Sequence, residues 1–141
     1  MILPKKDNDF VKELLKKKES EVLDFKHSIT DSQKIAKTIA AFANAKGGIL
    51  AVGIDDKGKI TGIDEEEERF MLDQAAKKWC TPPVDISYDL YEIDYWDEQK
   101  LEEELYILIA TVNSKGMKHS VPNANGEPIF YTRVFDRTVP V

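Results

Sequence analysis

One cysteine in 141 residues excludes an internal disulfide and a cysteine-rich zinc site. Two histidines, His27 and His119, are too few and too separated to announce a zinc motif. No apolar run approaches the ~20 residues of a membrane span, and the start Met1-Ile2-Leu3-Pro4-Lys5-Lys6-Asp7 lacks the stretch of a secretory signal. A cytoplasmic protein without a membrane partner is therefore expected. No Gly-x-x-x-x-Gly-Lys-Ser/Thr loop occurs, which excludes autonomous ATP hydrolysis of the Walker kind. Internal repeats and low-complexity tracts are also missing, so solenoids and disordered tails drop out.

What is present suits one packed core. The chain is 42% hydrophobic and 33% charged, and its length fits a single domain over residues 1–141. The formal net charge of -6 argues against a uniformly basic nucleic-acid binder. Charge is unevenly placed, however. Residues 1–62 carry 12 basic and 9 acidic groups, whereas 63–141 carry 8 and 17. Nine acids fall within 85–105 with Lys100 as the sole base, and the tail turns basic again through Lys115, Lys118, Arg133 and Arg137. Phosphate attraction follows the local field, so the first 62 residues and the tail can supply a basic surface despite the total.

Spacing outlines an α+β fold with a mixed central β-sheet and about three helices. Phe10, Val11, Leu14 and Leu15 recur at helical intervals behind the capping residues Asp7-Asn8-Asp9. Val22–Lys26 alternates as a strand, sending Leu23 and Phe25 one way and Asp24 and Lys26 the other. Asp31 or Ser32 caps a second helix whose stripe is Ile35, Ile39, Phe42 and Ala43. Gly47-Gly48 ends it and launches the apolar strand 49–54. Asp55-Asp56-Lys57-Gly58 predicts a hairpin with a short strand near 59–63, and a third helix is expected over 65–79. Val84, Ile86, Tyr88 and Leu90 alternate as a strand whose phase then slips to Tyr91, Ile93 and Tyr95, as either a bulge or a bend would cause. A charged connection over 96–104, a strand over 105–112, a long loop over 113–128 and a final strand over 129–135 complete the reading.

Three segments carry a resemblance. They are Glu19-Ser20-Glu21-Val22-Leu23-Asp24-Phe25-Lys26, the run from Ile39 through Lys46-Gly47-Gly48 to Ile54-Asp55-Asp56, and Ile129-Phe130-Tyr131-Thr132-Arg133-Val134-Phe135. Their order and spacing resemble the Schlafen-associated AlbA domain, a family described as DNA-binding. The resemblance implies a compact α/β core. Animal Schlafen relatives arrange related modules as an RNA-cleaving core with several carboxylates. Glu19 and Asp24 resemble the first two acidic positions, although Asp24 stands where the family carries Glu, and Asp55 or Asp56 resembles a third. Phe135-Asp136 replaces the small Gly-Ser or Gly-Asn pair that often follows the Arg-Val segment.

The implied chemistry is specific. Glu19, Asp24, Asp55 and Asp56 are candidate ligands for Mg²⁺ or Mn²⁺, which no other part of the fold requires. Glu19, Asp24 and Asp55, with Lys26 on Asp24's strand face, form the candidate catalytic set. The simpler account leaves Asp24 and Lys26 as a polar edge and Asp55-Asp56 as a turn. Lys115, Lys118, Tyr131, Arg133 and Arg137 are the candidate nucleic-acid contacts, Tyr131 by stacking and the cations on phosphate. Arg133 can instead pair internally and Tyr131 can cover the core. Three functions are thus expected in competition. The first is a nucleic-acid-binding module of regulatory use, for RNA or DNA. The second is a metal-dependent endoribonuclease, and the third is a protein-interaction or homo-oligomerisation domain.

Overall fold

The computed structural model describes residues 2–141. A first helix, α1 (Asn8–Lys16), is capped by Asp7, whose carboxylate accepts from the Phe10 amide at 3.0 Å. Strand β1 (Leu23–Lys26) leads through a short loop into α2 (Ser32–Asn44), which Asp31 caps through the Lys34 amide. Strand β2 (Gly48–Val52) then returns parallel to β1, so α2 is the crossover of a βαβ unit. Gly48 packs flat on the Phe42 ring, and a Cβ there would lie 2.5 Å from Phe42 Cδ1. Glycine at this junction is set by that close approach.

After β2 the chain makes the Asp55–Gly58 turn. The expected short strand shrinks to one bridge between Ile54 and Ile60. Helix α3 (Glu65–Gln74) follows, capped by Asp64, and its last turn widens into a π-helical segment over Ala75–Trp79. Strands β3 (Ile86–Trp96) and β4 (Gln99–Val112) form one long hairpin, and β4 also pairs with β2. The four-stranded sheet therefore runs β1-β2-β4-β3. A second, three-stranded sheet is built from β5 (Ser120–Pro122), β6 (Pro128–Val134) and β7 (Arg137–Pro140). The expected α+β architecture, mixed central sheet and three helices are all present.

Both faces of the four-stranded sheet are covered. Leu50, Val52, Leu90, Leu108, Ala110 and Val112 meet α2 and α3 on one side. Ala51, Tyr91, Ile93, Ile107 and Ile109 meet α1 on the other, where Phe10 stacks on Tyr91 at 4.6 Å between centroids. This explains the apparent phase change in β3. Leu90 belongs to one core and Tyr91 to the other, so no bulge is needed there. The register irregularity falls farther along, between Ile93 and Tyr95.

Three other expectations are corrected. The charged connection over 96–104 is the tip of the β3–β4 hairpin, closed by Asp97 and Glu98 at φ 50° and 64°. Those two residues take the left-handed conformations of a tight turn without the Asn or Gly that normally signals it. The loop over 113–128 contains β5. The strand expected to be final is followed by a turn at Phe135-Asp136 and by β7.

Helix α2 has no free apolar flank. Ala36, Ile39, Ala40, Ala41, Phe42 and Ala43 are buried, because one side meets the large sheet and the opposite side meets β5, β6 and β7. Asn44 at its end locks the second sheet in place. Its Nδ2 donates to the His119 and Tyr131 carbonyls, each at 2.9 Å, and its Oδ1 accepts from the His119 amide at 2.7 Å. Asn44→Ala leaves three backbone groups without partners and is expected to cost about 2–4 kcal/mol. Urea unfolding should show a lower midpoint with unchanged slope, and an unshifted midpoint would refute this role for Asn44.

Candidate functional site

Asp24 occupies the middle of β1, opposite Leu50 of β2, so its side chain lies on the α2 side of the sheet. It is only 5% exposed. Glu19, in the segment before β1, folds back along the same strand, and its Oε2 accepts from the Phe25 amide at 3.0 Å. The two carboxyl groups hydrogen-bond to each other through a shared proton. Lys26 Nζ stands 3.4 Å from Asp24 Oδ2. Four of the residues that the sequence reading singled out thus form one cluster: Glu19, Asp24, Lys26 and, from β6, Arg133.

Arg133 was expected to reach phosphate from the surface. It is instead 5% exposed, with its guanidinium 4.7 Å above the Phe42 ring centroid. One terminal nitrogen donates to the Ser20 carbonyl at 2.7 Å and the other to the Thr138 hydroxyl at 3.1 Å. Its Nε has no partner. The side chain is turned inward because β6 packs on α2, and Tyr131 and Arg133 share that inward face. A buried guanidinium beside two carboxyl groups acts through its field.

Burial, then the hydrogen bond to Glu19, holds the Asp24 carboxyl up at about 7, against the opposing pull of Lys26. Glu19 is held below its ordinary value, first by Asp24 and then, against the cost of its own burial, by the Phe25 amide, Lys26 and Arg133. Through the weakly acidic range the cluster is therefore one exposed carboxylate and one buried carboxylic acid, and Asp24 gives up its proton only around neutrality. Glu19 lies in the wall of a groove of about 440 Å³ that also includes Lys17, Lys18, Asp55, Asp56 and Asp136.

Asp55 does not join the pair. Its Oδ1 accepts from the Lys57 and Lys59 amides at 2.9 and 2.8 Å, the work of a turn. Asp56 is exposed on the same turn. Among the described residues, no three His, Cys, Asp or Glu side chains are grouped to hold a metal ion. A three-carboxylate Mg²⁺ or Mn²⁺ site does not fit this arrangement, because the Asp55 carboxylate is held by the amides of its own turn and is not grouped with Glu19 and Asp24.

The tail residues separate into different surroundings. Lys115 pairs with Asp85 at 2.8 Å, and Arg137 is exposed on β7. Lys118 and Tyr131 do come together. They line a depression of about 480 Å³ with Asn44, Phe130, Thr132 and Val141, and Phe130 is 43% exposed. Lys37 of α2 reaches over the Tyr131 ring at 5.7 Å. Sequence reading missed Lys37 and Phe130. Nothing in the sequence distinguishes Lys37 from any solvated helix lysine, and only the packing of β6 on α2 places it over the ring.

His27 and His119 are held apart by different partners, the Thr61 hydroxyl and the Pro82 carbonyl. Burial pushes the Cys80 thiol up to about 12, which leaves it inert. No helix is long and apolar enough to cross a membrane among the described residues.

The family described as Schlafen, AlbA_2 matches residues 19–141, and the chain belongs to that family. Among solved structures, the DIP2311 protein from Corynebacterium diphtheriae is similar, with 19% identity and a TM-score of 0.55. The match covers 93% of this chain and 25% of that one, so this chain corresponds to about a quarter of the longer protein. That likeness concerns the fold.

The raised Asp24 value makes a pH prediction. Between the ordinary 3.8 and about 7 the folded chain keeps a proton that the unfolded chain releases, so this contribution to stability falls as pH rises through that window. Glu19 acts in the opposite sense below its ordinary 4.5, outside the range to be tested. From about pH 5 to 8 the protein should lose on the order of 2 kcal/mol that Asp24→Asn does not lose. Parallel denaturation curves across that range, with equal slopes for the two proteins, would contradict the assignment.

Proposed function

We propose that this member of the Schlafen, AlbA_2 family is a nucleic-acid-binding module that holds single-stranded RNA or DNA over the Tyr131 depression. One observation carries the reading. Aromatic surface from Phe130 and Tyr131 lies in the same concavity as Lys118, with Lys37 above the Tyr131 ring. A stacking surface beside ammonium groups is what an unpaired strand requires, since every base has a π-face and every linkage a negative charge. The net charge of -6 then selects for local rather than global attraction.

The test is binding of labelled single-stranded RNA and DNA at several salt concentrations. Tyr131→Leu keeps apolar cover and removes stacking, so affinity should fall roughly tenfold. Lys118→Ala should weaken all sequences alike and lower the salt slope by about one. Duplex DNA should bind less tightly than either single strand. Unaltered affinity in both variants would eliminate the depression as the binding surface.

A second reading, RNA cleavage, is favoured by the exposed Glu19 carboxylate in the wall of its groove. Its lowered value keeps it ionised, so it can hold a water or a hydroxyl by hydrogen bonding, although as a base it is weak. Cleavage of single-stranded RNA, measured with Mn²⁺ and with EDTA, should disappear in Glu19→Gln while binding persists. Cleavage undiminished in that variant would remove Glu19 from any such reaction.

A further inference from the structure

The end of α1, the Asp55–Ile60 turn and the tip of the β3–β4 hairpin border a slot of about 330 Å³. Leu15, Ile60, Trp96, Leu101 and Leu105 form its walls over the fully buried Ile93. It adjoins a wider vestibule of about 520 Å³ that shares Leu15, Trp96 and Asp97 and adds polar residues of α1. The two spaces share no lining residue with the Tyr131 depression.

The slot is apolar and the rim is zwitterionic. Lys12 Nζ stands 5.6 Å from the Trp96 ring centroid, and Lys59 lines the slot itself. Neither makes an ion pair among the described residues, whereas Lys16 is paired with Glu13 at 3.0 Å. Asp9 and Asp97 remain as rim acceptors. An occupant must therefore offer a flat apolar body, an anionic group for Lys12 and Lys59, and N–H donors for a carboxylate. A plain fatty or aromatic acid lacks the donors, and an apolar side chain lacks both polar parts.

We propose that this slot is a nucleotide site, with the base against Trp96 and the phosphate at Lys12 and Lys59. Slots of this size and lining commonly hold small ligands, and stacking on an indole with a cation alongside supplies both affinity and orientation. A free mononucleotide and the terminal nucleotide of a strand share this chemistry. The site stands on its own residues and does not depend on binding at Tyr131.

Titration of the full chain with AMP, UMP, adenosine and a 5′-phosphorylated tetranucleotide tests it, read by tryptophan emission and by calorimetry. Saturable binding of AMP or UMP is expected, with adenosine weaker because it lacks the phosphate. The surface variant Lys12→Ala/Lys59→Ala should weaken AMP by about tenfold and adenosine little, the signature of a lost phosphate contact. Lys77→Ala, an exposed lysine that lines none of these concavities, should leave AMP binding unchanged. Saturation by the tetranucleotide alone, lost in the double variant, would support the site and identify the strand end as its occupant. Absence of saturable binding for all four compounds, or equal affinity in the double variant, would overturn the proposal.

Discussion

A helix with no free flank governs this fold. The crossover helix α2 must satisfy the four-stranded sheet on one side and the three-stranded sheet on the other. Two close approaches on one helix demand small side chains, and Ala36, Ala40 and Ala43 supply them while Ile39 and Phe42 fill what remains. The polar groups that the second sheet brings inward must then be satisfied locally. Asn44 does this for the backbone of β5 and β6, and the Phe42 ring provides the surface on which Arg133 lies.

The buried polar cluster follows from that packing. Arg133 cannot give up its proton, so its burial is tolerable only with acceptors and nearby negative charge. Ser20 and Thr138 provide the acceptors, and Glu19 provides the charge. Asp24, deeper than Glu19, keeps its proton well above the usual carboxylate range, which delays placing two like charges side by side. The arrangement divides one role between two carboxyl groups: Glu19 faces the groove as an anion, and Asp24 fixes where that anion sits.

Local signals were legible wherever one residue type had a single physical use. Asp7, Asp31 and Asp64 cap helices, Gly47-Gly48 turns α2 into β2, and Leu23 and Asp24 face opposite sides as alternation requires. Reading failed where burial on both faces hides periodicity, as at Leu90 and Tyr91, and where a turn used Asp97-Glu98 in place of residues suited to left-handed backbone. The pairing of Glu19 with Asp24 was foreseen through a resemblance, and the inward turn of Arg133 was only an alternative. No periodicity in one strand reveals which of its faces a distant helix will cover. Asp55 had two chemical uses, and the amides of its own turn claimed it.

The contact between Arg133 and Ser20 spans 113 positions of the chain. A growing polypeptide lays down β1, α2, β2 and the whole β3–β4 hairpin before Arg133 is added. Until then the acidic pair has no buried cation and α2 has one side bare. The cluster is therefore completed only when β6 and β7 bring in Arg133 and Thr138, after every strand of the larger sheet has been made.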